Sequence, residues 1–205
     1  MKIAFDVNGV LRDTFGKAEQ VYQKFMIDDF ILEENEEKFD YELNLPVTSM
    51  NIIDHFKFRN SDDLYDFFYV DFPMQIFGHA PSVSANTFTV LNEIYLQLRD
   101  EHELFVISDE IQKSKPATLF FISKYGCLIE NYMFYSKISF NKIWETYDIV
   151  VTSNPEILDS KPSNKKTVKF LTTYNELSQS DYTISSLEEF TNLFNELNLK
   201  NDISI

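Results

Sequence analysis

The chain has 205 residues, a formal net charge of −15 and a pI near 4.5, with 44% apolar and 16% aromatic residues, a single cysteine, four glycines and six prolines. So acidic a chain is repelled by nucleic-acid backbones and anionic membranes over about 8 Å in physiological salt, and no run approaches the roughly 18 apolar residues of a bilayer span. MKIAFDV is no secretion signal and Cys127, set in GCLI, has no partner for an internal disulfide, so a globular protein of the reducing cytoplasm is expected, with neither nucleic acid nor membrane as partner.

The first element is an apolar, β-prone run that ends in Asp6 and delivers that carboxylate to the tight loop Asn8-Gly9, followed by Asp13-Thr14. Open α/β sheets place their chemistry in this way, beyond the carboxyl ends of the strands. Phe15 to Phe30 then reads as an amphipathic helix, with Ala18, Val21, Tyr22, Phe25 and Met26 at three- and four-residue spacing. Asp28 to Glu42 is crowded with acids and reads as a solvated turn, since the alternating carboxylates and central Gly of a Ca²⁺ loop are missing.

After a break at Leu43 to Pro46, short helices are expected over Met50 to Phe58 and Ser61 to Val70, the second with Ser61 as its cap. Its rings Tyr65, Phe67, Phe68 and Tyr69 suit the core of a small helical unit, or a ligand pocket or interface. Loops at Phe72-Pro73 and Gly78 to Pro81 precede a long helix over Ser82 to Arg99. Leu104 to Ile107 is a buried parallel strand running out into Ser108-Asp109-Glu110.

Alternation continues to the end of the chain. Helices are expected at Pro116 to Lys124, Asn141 to Thr146, after Pro155, and at Ser186 to Leu197, where Ser186 and Glu189 have capping-box spacing. Strands are expected at Asn131 to Ser136, Asp148 to Thr152 and Thr167 to Leu171, with a short edge at Thr183-Ile184. Strands alternating with helices imply a doubly wound parallel sheet with right-handed crossovers.

IAFDVNGVLRDT resembles the first motif of the haloacid dehalogenase-like (HAD) superfamily at Asp6, Gly9, Val10, Leu11 and Asp13, with Asn8 where its phosphatases carry a second Asp. Leu104 to Ser108 is similar to the second motif, an apolar strand ending in Ser or Thr. Lys142, or alternatively Lys137, is similar to the lone lysine of the third. Val150 to Pro155 stands where the fourth motif brings one or two acids to Mg²⁺, and it contains none. The resemblance runs from Lys2 to about Phe194 and looks closest to small nucleotidase-like members. It implies a Rossmannoid α/β core over 1–14 and 82–205 with an α-helical cap inserted over 15–81.

It further implies catalytic positions at Asp6, Asn8, Ser108 and Lys142, substrate-facing ones at Gly9, Ser108 and Asp109, and metal-facing ones at Asp6, Asn8 and Ser153. In the family mechanism the first Asp attacks phosphorus, the second transfers protons and Mg²⁺ screens the charge. Asn8 cannot exchange a proton, a loss of about 10²–10⁴-fold in rate. The missing acids near Ser153 weigh more, because Mg²⁺ is held by hard oxygen ligands, usually one or two of them carboxylates. Asp148 lies about five residues back along its strand, roughly 16 Å from the active end at about 3.3 Å per residue, and cannot substitute. Asp109 and Glu110 are the nearest stand-ins, with Glu156 third.

Two expectations follow. The first is a HAD-like protein with a degenerate phosphatase site, needing no cofactor and acting as a binding, structural or assembly component, as in a virus particle. Its partner would be another protein or a second copy of the chain. The second is a slow Mg²⁺-dependent phosphohydrolase, nucleotidase-like, that uses Asp6 on a small phosphorylated metabolite.

Overall fold

A computed structural model describes residues 1–28, 47, 49, 51–136 and 140–201. The acid-rich segment after Asp28, the Leu43–Pro46 break and Lys137 lie outside these residues. Strands β1 (Lys2–Asp6), β2 (Glu103–Asp109), β3 (Asn131–Tyr135), β4 (Ile149–Thr152), β5 (Lys166–Phe170) and β6 (Tyr182–Ile184) form one sheet in the order β3-β2-β1-β4-β5-β6. Every adjacent pair is parallel. The chain leaves β1 toward β2 and β3, then returns to the other side of β1 at β4. That reversal opens a crevice at the carboxyl ends of β1 and β4, the usual ligand position in such sheets.

Side chains alternate across β1, and each face has its own core. Ile3 and Phe5 pack with α4 (Thr87–Leu98), α5 (Ser114–Lys124) and α8 (Leu187–Asn201) through Leu91, Ile94, Phe121, Phe190 and Phe194. Ala4 faces the other way, toward α6 (Phe140–Thr146) and α7 (Pro155–Asp159), with Ile143, Trp144 and Ile157. Covering both faces removes the sheet from water, which is why β4 reads IVVT without a polar alternation.

Residues 14–78 add no strand among the described residues. The described ones include α1 (Thr14–Tyr22), α2 (Ile52–His55), α3 (Ser61–Asp66) and π-helical segments at Gln23–Asp28, Phe67–Asp71 and Met74–Gly78. Tyr22, fully buried, is ringed by Phe56, Phe58 and Phe67 at centroid distances of 5.2–5.7 Å, and its hydroxyl donates to the Lys57 carbonyl. This aromatic cluster also takes in Ala117 of α5, so the helical segment is packed onto the sheet's own layer.

Several element boundaries differ from the sequence expectation. The long helix begins at Thr87 rather than Ser82, because Ser84 and Thr87 exchange hydrogen bonds in a turn before it. The α3 cap is Asn60, whose side chain accepts from Asp62 N and Asp63 N at 2.8 and 2.9 Å, and Ser61 is the first helical residue. At α8 the hydroxyl that meets Glu189 belongs to Ser185, at 2.5 Å, not to Ser186. The expected loops at Phe72-Pro73 and Gly78 are instead flanked or occupied by π-helical turns.

Candidate active site

Asp6 ends β1 opposite Ile107 of β2, and Phe5 pairs with Val151 of β4, so the Asp6 carboxylate emerges between the ends of three strands. It is 1% exposed. Thr152 of β4 donates its hydroxyl to Asp6 Oδ2 at 2.7 Å, and Tyr135 of β3 donates to the same oxygen at 3.1 Å. Asp6 Oδ1 is buried with no hydrogen-bond partner among the described residues. Burial pushes the carboxyl up from 3.8 to about 7, against the two hydroxyls and with help from the nearby Asp109 charge. The Val7 N–H lies close enough to favour the charged form slightly, but its hydrogen bond goes to the Ile107 carbonyl at 2.9 Å.

The loop after Asp6 is held by a side chain that sequence reasoning passed over, Arg12. Fully buried, it places all five N–H groups. Nε donates to Thr14 Oγ1 at 3.0 Å, one terminal nitrogen to the Phe77 carbonyl and Thr118 Oγ1 at 2.9 and 2.6 Å, and the other to Asn8 Oδ1 and Glu110 Oε1 at 2.6 and 2.5 Å. Phe77 and Phe121 lie against the guanidinium, 5.1 and 5.4 Å from its carbon. A charge inside the apolar run Val10-Leu11-Arg12 demands a buried partner. Glu110, beyond the end of β2, supplies it, and that pairing was the signal available in the sequence.

Glu110 is thereby committed. Its Oε1 also receives the hydroxyls of Ser108 at 3.1 Å and Thr118 at 2.8 Å. Asn8 is equally fixed: Oδ1 accepts from Arg12 and from Thr14 Oγ1 at 2.7 Å, and Nδ2 points to Ser108 Oγ at 3.5 Å. Asn8 and Ser108 are thus brought together near Asp6, but within a structural network. Gly9 has φ +74°, and a Cβ there would collide with Ser153 Oγ and Tyr174 Oη. That loop position therefore requires glycine both for its backbone and for the close approach of Ser153. Lys142 is exposed on α6 and does not line the cavity above Asp6.

A metal ion at this site would need oxygen acceptors from the loop and the strand ends. In the sequence expectation Asp6, the Asn8 carbonyl and Ser153 would face it. Ser153 Oγ, however, donates to that Asn8 carbonyl at 2.9 Å and also meets Tyr174 Oη at 3.1 Å. Thr152 occupies Asp6 Oδ2 in the same manner. The end of β4 thus presents hydroxyl donors to Asp6 Oδ2 and to the Asn8 carbonyl, leaving Asp6 Oδ1 open. Among the described residues no group of three or more His, Cys, Asp or Glu could hold a metal ion. Asp148 sits at the opposite end of β4, accepting from Lys2 N and Lys165 Nζ, both at 2.9 Å. This donor set does not fit Mg²⁺, which requires hard oxygen acceptors.

Above Asp6 lies a cavity of about 270 Å³ between the strand ends and the helical segment. Asp6, Asp109 and Glu156 contribute acids to it, while Phe15, Phe68 and Phe77 contribute rings. None of its described lining residues is Lys, Arg or His. Asn154 joins the floor, its side chain accepting from Glu156 N at 2.9 Å.

Solved structures superpose on this arrangement over nearly its full length. The magnesium-bound HAD-hydrolase YfnB of Bacillus subtilis matches with a TM-score of 0.58 at 10% identity, covering 95% of this chain and 98% of its own. The chain has the haloacid dehalogenase-like fold. A haloacid dehalogenase-like family hydrolase of Streptococcus pneumoniae matches at TM-score 0.58 and 9% identity, covering 94% and 97% of the two chains. The L-2-haloacid dehalogenase of Xanthobacter autotrophicus, with chloropropionic acid covalently bound, matches at 0.53 and 10%, covering 95% and 98%. No protein-family model and no curated protein matches the sequence. Within the HAD-like fold, Asp6 holds the central position at the end of β1, where the sheet order reverses.

Proposed function

We propose that this protein is a HAD-fold binding component, alone or within a larger assembly, in which phosphoaspartate chemistry does not operate. The observation that carries this reading is the occupation of Asp6 Oδ2 and the Asn8 carbonyl by the Thr152 and Ser153 hydroxyls. A carboxylate and a phosphate dianion about 4 Å apart repel by roughly 8 kcal/mol at an effective dielectric of about 20. A phosphatase offsets that repulsion with a cation, whereas this cavity adds two further acids, Asp109 and Glu156. Asn8 cannot protonate a leaving oxygen, and its amide is already engaged by Arg12 and Thr14.

A second reading, a slow nucleotidase-like phosphohydrolase, is favoured by one observation: Asp6 itself is retained, lining a cavity with Oδ1 unpartnered. Turnover of a panel of phosphorylated metabolites, nucleoside monophosphates included, with Mg²⁺ and with Asp6→Asn as control, separates the two. The binding reading expects the same background with both proteins. Turnover abolished by Asp6→Asn would overturn it.

A further inference from the structure

We infer that the cavity over Asp6 binds a small neutral alcohol, an apolar aromatic body whose one hydroxyl donates to Asp6 Oδ1; this rests on the binding function proposed above and names its ligand class. Asp6 lines the cavity and has two unlike oxygens. Oδ2 takes the Thr152 and Tyr135 hydroxyls at 2.7 and 3.1 Å, whereas Oδ1 is buried with no hydrogen-bond partner among the described residues. A buried acceptor left unmade is costly, and a ligand O–H would satisfy it.

The polar groups around Oδ1 are already engaged. Asn8 Oδ1 accepts from Arg12 and from Thr14 Oγ1, and the Asn154 side chain accepts from Glu156 N. Asp109 and Glu156 also reach the cavity, and both make interactions of their own. No other described lining residue has a buried side-chain nitrogen or oxygen without a partner. The site therefore calls for one donor. Around it, Phe15 and Ala18 of α1, Ile52 of α2, Leu64 of α3, and Phe68 and Phe77 of the π-helical turns close over the strand ends with apolar surface. Such a wall takes up an apolar body by removing it from water.

Together these features discriminate among ligands. A phosphate, a carboxylate or an ether brings acceptors to an atom that is itself an acceptor, and none of the described lining residues is Lys, Arg or His. An ammonium brings three N–H donors where one acceptor stands open, and Asp6, only 1% exposed, admits a slim hydroxyl more readily. The volume, about 270 Å³, is just below the usual range for drug-sized ligands and suits a small molecule.

The test is isothermal titration calorimetry of the full chain at pH 8.5, above the Asp6 value of about 7, with three probes of one body: 2-phenylethanol, its methyl ether and 2-phenylethylammonium. The alcohol should saturate and bind at least about tenfold tighter than the ether, the ratio that a hydrogen bond to a charged acceptor supports, and tighter than the ammonium. In Asp6→Asn the amide oxygen keeps the Thr152 and Tyr135 donors and an N–H replaces Oδ1, so alcohol and ether should bind within about twofold of each other. Should that variant lose cooperative urea unfolding, the wild-type ratio decides alone. Equal affinity for alcohol and ether, a preference that survives in Asp6→Asn, an ammonium that binds tighter than the alcohol, or no saturable alcohol binding would overturn the inference. Phenyl phosphate supplied with Mg²⁺ is the distinguishing arm. Asp6-dependent hydrolysis defeats the proposed function and this inference with it, whereas absence of both hydrolysis and alcohol binding defeats this inference alone.

Discussion

Replacing Asp6 by Asn should make the protein more stable at alkaline pH relative to acid pH, an unusual outcome for the central residue of a candidate active site. The folded state holds the Asp6 proton until about pH 7, while the unfolded chain releases it near 3.8. Between those values the unfolded state binds fewer protons, so stability falls as pH rises. The Asp6 contribution is complete below 3.8 and lost as pH passes through about 7. At 1.36 kcal/mol per unit, the whole shift corresponds to about 4 kcal/mol, of which about 3 kcal/mol falls between pH 5 and pH 8.

The Asn variant removes this dependence. Its amide oxygen can keep the Thr152 and Tyr135 hydroxyls, and its amide nitrogen would take the place of the unpartnered Oδ1. A buried donor left unpaired costs about 1–3 kcal/mol, but equally at every pH in this range. Urea unfolding of both proteins at pH 5 and pH 8 therefore isolates the Asp6 charge as a difference of differences, other groups cancelling. The variant should gain about 3 kcal/mol on the wild type between the two. Parallel profiles, within about 0.5 kcal/mol, would show that Asp6 titrates in its ordinary range and would refute the reasoning.

The Arg12–Glu110 pair is fully buried, so Arg12→Met or Glu110→Gln, which each leave one charge without its partner, should cost about 3–5 kcal/mol in urea unfolding, and the double variant less than the sum. Gly9→Ala places a Cβ at φ +74° against Ser153 and Tyr174 and should destabilise by about 1–3 kcal/mol, measured the same way. Thr152→Val removes the 2.7 Å donor to Asp6 and should move the Asp6 titration, followed by carboxyl-labelled NMR, upward from about 7. Asn8→Asp alone should restore no Mg²⁺-dependent phosphatase activity, because the Thr152 and Ser153 hydroxyls remain in place.

The sheet was legible because its strands are covered on both faces and read as short apolar runs, and each expected strand is present. Asp6 was legible for the same reason, as the polar residue where such a run ends. Helix starts were less so: Asn60 and Ser61 are equally good caps by residue type, and backbone geometry chose between them. The π-helical turns at Phe67–Asp71 and Met74–Gly78 carry no distinctive composition and follow from packing rings against α5.

At the site, the absence of acids from Val150 to Pro155 was visible in the sequence, but the use made of Thr152 and Ser153 was not. A hydroxyl in sequence can donate or accept, and only the register of β1 against β4 shows Thr152 aimed at Asp6 and Ser153 at the Asn8 carbonyl. Ser108 illustrates the converse: its position matches the second-motif resemblance, yet its hydroxyl is given to Glu110 at 3.1 Å.

The central claim, that the end of β4 supplies hydroxyl donors where a metal site requires acceptors, is tested most directly by titrating Mg²⁺ into the protein at pH 8 by calorimetry, with Asp6→Asn alongside. No saturable heat that depends on Asp6 is expected. Saturable Mg²⁺ binding that disappears in Asp6→Asn would contradict it.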